Sequence, residues 1–130
     1  MKKRQIIMVG FMQAQNCSNY PASWRHVESS TDFMTPHYYR RIARALEDGK
    51  FHFGFFDDRL ALPDIFASDH SVALKHGIRV VKMDPIPILA TMAMHTKHLG
   101  LAATLSTTYY GPYHIARTMM TLDHMCGGRA

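Results

Sequence analysis

The chain has 130 residues, 47% of them hydrophobic, enough for one modest core, and no run approaches the ~18 apolar residues of a membrane span. Two cysteines, Cys17 and Cys126, are too few for a disulfide framework, so a reducing cytoplasm is the expected compartment. The net charge of +5, with nine histidines counted neutral, is scattered without a basic run; it reads as solvated surface charge, excludes a nucleic-acid or membrane patch, and is compatible with an anionic cofactor.

Gln5 to Met12 is apolar and β-like. Its basic start, Met1-Lys2-Lys3-Arg4, lacks a small-residue cleavage pattern downstream, so it predicts a strand rather than a signal peptide. Tyr38 to Glu47 has helical spacing, with Tyr38, Ile42, Ala45 and Leu46 on one face. Thr35-Pro36 supplies a cap and a first-turn proline, and Gly49 a C-terminal stop. Phe51 to Phe56 predicts a second strand, ended by Asp57-Asp58. Arg59 to Met83 reads as irregular. Asp84-Pro85 opens a second helix whose buried face takes Ile88, Leu89, Met92 and His95.

Leu99 to Leu105 predicts a third strand that breaks into the hydroxyl-rich turn Ser106-Thr107-Thr108-Tyr109-Tyr110. Gly111-Pro112 then leads into a helix from about Tyr113 to Met125, stopped by Gly127. Strands alternating with helices predict an α/β fold with a parallel sheet. An open doubly wound sheet and a (β/α)8 barrel both satisfy that order. The absence of Gly-x-Gly-x-x-Gly after any strand weakens a dinucleotide-binding reading, and a full barrel needs ~250 residues, of which this chain supplies about three βα units.

Several landmarks fall in order along the chain: Trp24-Arg25-His26, Gly49-Lys50-Phe51, Phe56-Asp57-Asp58, Asp84-Pro85, the run Ala103 to Arg117, Thr121-Leu122-Asp123 and Gly127-Gly128-Arg129. In these the sequence resembles the bacterial-luciferase-like flavin monooxygenases, specifically the group containing the nitrilotriacetate, dibenzothiophene-sulfone and long-chain alkane monooxygenases. The resemblance implies a luciferase-like (β/α)8 TIM barrel. It implies FMN, used as FMNH2 delivered by a separate NAD(P)H-dependent flavin reductase. It implies a flavin C4a-hydroperoxide that places one oxygen atom from O2 on a small organic substrate, and a homo-oligomer when complete. In such relatives the Gly-Gly-Arg stretch enters a fourth strand with a Trp-Asn-x-Val-Thr-Ser-like pattern. By that likeness residues 1–130 form a single partial domain, the N-terminal segment of the barrel, with the phosphate grip beyond Ala130. The alternative expectation is a truncated, inactive fragment whose open strand edges self-associate or dock with a complementary barrel chain.

The resemblance also distributes roles. Asp58 and Thr104, at strand carboxyl ends, are the candidate flavin contacts, with Ser106, Thr107 and His26 as further cofactor-binding candidates. Tyr109, Tyr110 and Tyr113 are candidates for the substrate wall. Asp57 is less favoured, because relatives often carry a small or apolar residue there. Several relatives have a histidine before the Trp-Arg pair; here the loop reads Asn16-Cys17-Ser18-Asn19-Tyr20, so Asn16, Ser18 or Asn19 can replace its hydrogen bond but not its proton transfer near neutral pH. Cys17 is a candidate thiol without an argument for activation. His95 and His98 lack an acidic partner in register, so no metal is expected. Arg117, Asp123 and Arg129 are expected to serve pairing and loop fixation, and the ten methionines to fill the core.

Overall fold

A computed structural model describes residues 5–16, 20 and 22–130. Three strands, β1 (Val9–Gln13), β2 (Phe53–Asp57) and β3 (Gly100–Ala103), form a parallel sheet in the order β1-β2-β3. Val9 pairs with Phe53 and Gln13 with Asp57; Phe53 pairs with Gly100 and Phe56 with Ala103. The helices are α1 (Pro36–Asp48), α2 (Ser71–His76), α3 (Pro85–Ala93) and α4 (Pro112–Cys126). The alternation expected from the sequence is therefore observed.

Helix α3 is the most apolar and packs between α1, α4 and β3, burying Ile88, Leu89, Met92 and Ala93. With Phe56, Leu99, Leu101 and Leu122, these side chains make one core between sheet and helices. The expected caps are present. The Thr35 hydroxyl accepts from the Tyr38 N–H at 3.4 Å, and the Asp84 carboxylate accepts from the Ile86 N–H at 2.8 Å.

Two expectations are corrected. β1 lies at Val9–Gln13 rather than Gln5 to Met12, because pairing begins only where β2 runs alongside it. Gly49 caps α1 as expected, its N–H donating to the Ala45 carbonyl at 2.9 Å, and the left-handed residue that follows it is Lys50, at φ 60°. The segment Arg59 to Met83 is not wholly irregular: it holds a 3-10 turn at Phe66–Ser68 and α2. Helix α2 stops at Gly77 (φ 64°), where a Cβ would meet the Trp24 ring at 3.2 Å. Glycine thus serves both the turn and the close approach of the first loop.

The loop into β3 is fixed by Glu47, whose carboxylate accepts from the Lys97 N–H at 2.9 Å and the His98 N–H at 3.3 Å. Burial alone raises its pKa, but the backbone donations from Lys97, His98 and Leu99 together hold it below the ordinary value. No described helix is long and apolar enough to cross a membrane.

Candidate functional site

Strand alternation sorts the side chains. Met12, Phe56, Leu101 and Ala103 lie toward the helices and belong to the core or pack against it. Val9, Phe11 and Gln13 of β1 and Phe53, Phe55 and Asp57 of β2 occupy the opposite face. Phe11 is 56% exposed there, its ring 5.9 Å from that of Phe55. The Thr104 N–H donates to the Phe56 carbonyl at 2.9 Å, which extends the β2–β3 ladder by one residue and sets Thr104 beside Asp57 on this open face.

At the carboxyl end of that face the polar groups are joined. Gln15 Nε2 donates to Gln13 Oε1 at 2.8 Å, Gln13 Nε2 donates to Asp57 Oδ2 at 3.1 Å, and Arg59 Nε lies 3.4 Å from the same carboxylate oxygen. Asp57, the less favoured aspartate in the sequence, is therefore the one held in the row with Gln13 and Thr104.

Asp58 turns elsewhere. It lines a cavity of about 290 Å³ with Arg59, Lys82, Asp84 and Tyr110. Partial burial pushes its carboxyl above the ordinary value, the neighbouring Asp84 and Asp57 charges push the same way, and the Arg59 N–H and the Lys82 ammonium oppose them. The Lys82 ammonium is itself pushed down, first by burial. Its Nζ donates to the Arg59 and Ala61 carbonyls, each at 2.6 Å. The segment around Lys82 is tied to the end of β1: Gln15 and Lys82 form an isolated antiparallel bridge, and the Met83 N–H donates to the Ala14 carbonyl at 2.8 Å.

Of the other sequence candidates, Tyr110 is brought to the Asp58 cavity and also lines a second one, of about 170 Å³, between Asp84 and α4. Ser106 is half-buried and closes the turn, its carbonyl accepting from the Tyr109 and Tyr110 N–H groups at 3.3 and 3.0 Å. Thr107 is exposed. Tyr109 and Tyr113 are also exposed and line neither cavity. His26 is exposed beyond the 3-10 turn Ser23–Arg25, and its Nδ1 accepts from the Glu28 N–H at 3.2 Å, away from Asp58. Cys17, Ser18 and Asn19 lie outside the described residues. Asn16 is described, and its side chain donates to the Gly77 carbonyl at 2.9 Å. No three His, Cys, Asp or Glu side chains among the described residues are grouped to hold a metal ion.

The sequence reading missed two features. Lys82 fell in a stretch without periodicity, and nothing local signals a bridge to a residue 67 positions away in the chain, Gln15. A larger cleft, about 650 Å³, opens beyond the carboxyl end of β1 between Gln13, Asn16, Trp24, Ser30 and Tyr38. Trp24 and Asn16 are its sequence signals.

Comparison with known proteins agrees with this geometry. The family model described as luciferase-like monooxygenase matches residues 12–130. The dibenzothiophene-sulfone monooxygenase of Rhodococcus erythropolis is 45% identical over 130 residues, covering 98% of this chain and 28% of that protein. The crystal structure of a long-chain alkane monooxygenase superposes with a TM-score of 0.91 at 33% identity, covering 98% of this chain and 30% of that one. A riboflavin lyase solved with modified FMN and riboflavin superposes at 0.87 with 32% identity, covering 97% and 28%. The chain thus spans under a third of these relatives, and its parallel sheet and helices are one part of their TIM barrel. It belongs to the luciferase-like monooxygenases.

Proposed function

We propose that the gene product containing this chain is an FMNH2-dependent monooxygenase. It inserts one oxygen atom from O2 into a small organic substrate and takes its reduced flavin from a separate NAD(P)H-dependent flavin reductase. The observation that carries this reading is the collection of polar side chains at one end of the sheet: Asp58 and Tyr110 on the 290 Å³ cavity, with Gln13, Asp57 and Thr104 on the adjoining open face. Family membership and the FMN of a structural relative support it.

The donor set fits an isoalloxazine. Such a ring presents N–H donors and carbonyl acceptors along one edge and two apolar faces, and the chain offers carboxylates, a threonine and a tyrosine hydroxyl next to the exposed aromatic surface of Phe11. When bound, reduced flavin supplies the electrons that activate O2. In this reading Asp58 accepts a hydrogen bond from the ring, Thr104 donates one to it, and Tyr110 walls the cavity. The Phe11 and Phe55 rings keep water from the reacting side, where water would divert the oxygen to hydrogen peroxide. Ser106 and Thr107, on the turn after β3, form the site's outer rim.

The test is flavin binding and coupling in the Asp58→Ala variant. Losing one hydrogen bond to a charged acceptor costs roughly tenfold in FMN affinity, and more H2O2 should be released per O2 consumed. An unchanged affinity together with an unchanged peroxide yield removes Asp58 from the site. A gene product that consumes no oxygen with reduced FMN and any substrate of the relatives contradicts the function itself.

A further inference from the structure

Lys82 belongs to none of the motifs above, yet it touches both loops around the Asp58 cavity. The bridge between Gln15 and Lys82 fixes its backbone to the end of β1. The Asn16 N–H adds a bond to the Val81 carbonyl at 3.1 Å, and the Met83 N–H one to the Ala14 carbonyl at 2.8 Å. From that anchored position its ammonium reaches the opposite loop and donates to the Arg59 and Ala61 carbonyls, each at 2.6 Å. These carbonyls lie on the loop just after the chain leaves β2, the first of them on the residue that follows Asp58.

A lysine ammonium has three donors and no acceptor, so two short bonds to carbonyls two residues apart in the chain restrict the loop strongly. The same charge stands across the cavity from a half-buried carboxylate. A surface lysine in search of water would not be half-buried with its head on two backbone oxygens.

We propose that Lys82 is a positioning residue for the flavin site, pinning the loop 59–61 so that Asp58 faces the cavity, with the ammonium on the same cavity as that carboxyl. The inference rests on the flavin reading of Asp58 given above. The charged and titratable groups around Asp58 set the direction of the effect. Asp57 and Arg59 flank it in the chain, Asp84 faces it from the start of α3, Tyr110 from the turn after β3, and Lys82 from the segment bridged to Gln15, with Arg79 nearby. Asp84 and Asp57 disfavour the carboxylate and Lys82 favours it, so removal of the lysine raises the Asp58 pKa and moves any pH dependence of binding upward.

Two readouts separate this claim from the function it rests on. FMN titration of the gene product containing this chain, from mildly acidic to neutral pH, should show Lys82→Met weakened by roughly tenfold, the acidic loss of affinity beginning at higher pH, and Lys82→Arg within a few-fold of wild type. In an Asp58→Asn background the Lys82→Met loss should largely vanish, because the lysine acts through Asp58. Independently of flavin, the Asp58 carboxyl followed by ¹³C NMR should titrate at higher pH in Lys82→Met, and amides of residues 59–62 should exchange faster. If wild type binds no FMN but the NMR and exchange changes appear, the flavin reading fails while the hold of Lys82 on the loop 59–61 and on Asp58 stands. The positioning role is overturned if wild type binds FMN while Lys82→Met leaves affinity, pH profile and Asp58 titration unchanged. It is equally overturned if Lys82→Met loses as much affinity in the Asp58→Asn background as in wild type.

Discussion

Phe56→Ala is expected to destabilise the fold by about 3–5 kcal/mol, the range for truncating a fully buried aromatic side chain. Phe56 has no exposed surface and sits on β2, the middle strand, with Leu89, Met92, Leu99 and Leu101 in the same buried cluster. Its ring meets Tyr39 of α1 edge-on at 6.0 Å, so the truncation loses both the buried area and the aromatic contact that ties α1 to the sheet. Burial also pushes the Tyr39 phenol up to about 12, marking how little water reaches this interface. The same side chain immediately precedes Asp57 and Asp58, so FMN affinity should fall along with stability. Denaturant unfolding measures the loss; a change below about 1 kcal/mol would mean that the cavity collapses freely and that β2 is not the centre of the core.

The second large effect belongs to Arg129. Its guanidinium donates to the Cys126 carbonyl at 2.7 Å, the Leu99 carbonyl at 2.8 Å, the Thr96 hydroxyl at 2.9 Å and the Ala93 carbonyl at 3.2 Å. One side chain thereby satisfies the carboxyl ends of α3 and α4, where the helix dipoles favour a cation, together with the entry of β3. Its own carbonyl accepts from the Leu101 N–H at 2.8 Å, placing the residue alongside the free edge of β3. Thr96 is buried, its hydroxyl already donating to the Met92 carbonyl at 3.0 Å, so its lone pairs depend on the guanidinium. Arg129→Ala should cost about 2–4 kcal/mol, the penalty for orphaning several buried acceptors at once. Arg129→Lys should recover less than half of that, since a point charge cannot reproduce a planar fork of donors. Full recovery by lysine in a melting experiment would show that charge alone, rather than the fork, holds the helix ends.

What the sequence reveals and what it hides divide along the range of the interactions. Helices α1, α3 and α4 announce themselves through local chemistry: Thr35-Pro36, Asp84-Pro85 and Gly111-Pro112 at their starts and Gly127 after the last. Strands β2 and β3 are legible as short apolar runs closed by polar residues. Helix α2 is not, because six residues cannot display a helical period and its stop at Gly77 answers to Trp24, far away in the chain. The site follows the same rule. The carboxyl ends of β2 and β3 are legible in the chain, and the family resemblance points there to Asp58, Thr104 and the turn that holds Tyr110 as candidates. Which aspartate joins the open face depends on register: Asp57 aligns with Gln13, leaving Asp58 to the cavity it shares with Lys82 and Asp84. A one-residue slip would exchange their places.

A crystal structure of the gene product with FMN locates the flavin ring directly. The ring should lie over the carboxyl ends of β2 and β3, within hydrogen-bonding distance of Asp58 and Thr104 and beside Tyr110. A ring seated instead in the cleft between Trp24 and Tyr38, out of reach of Asp58 and Thr104, would contradict it.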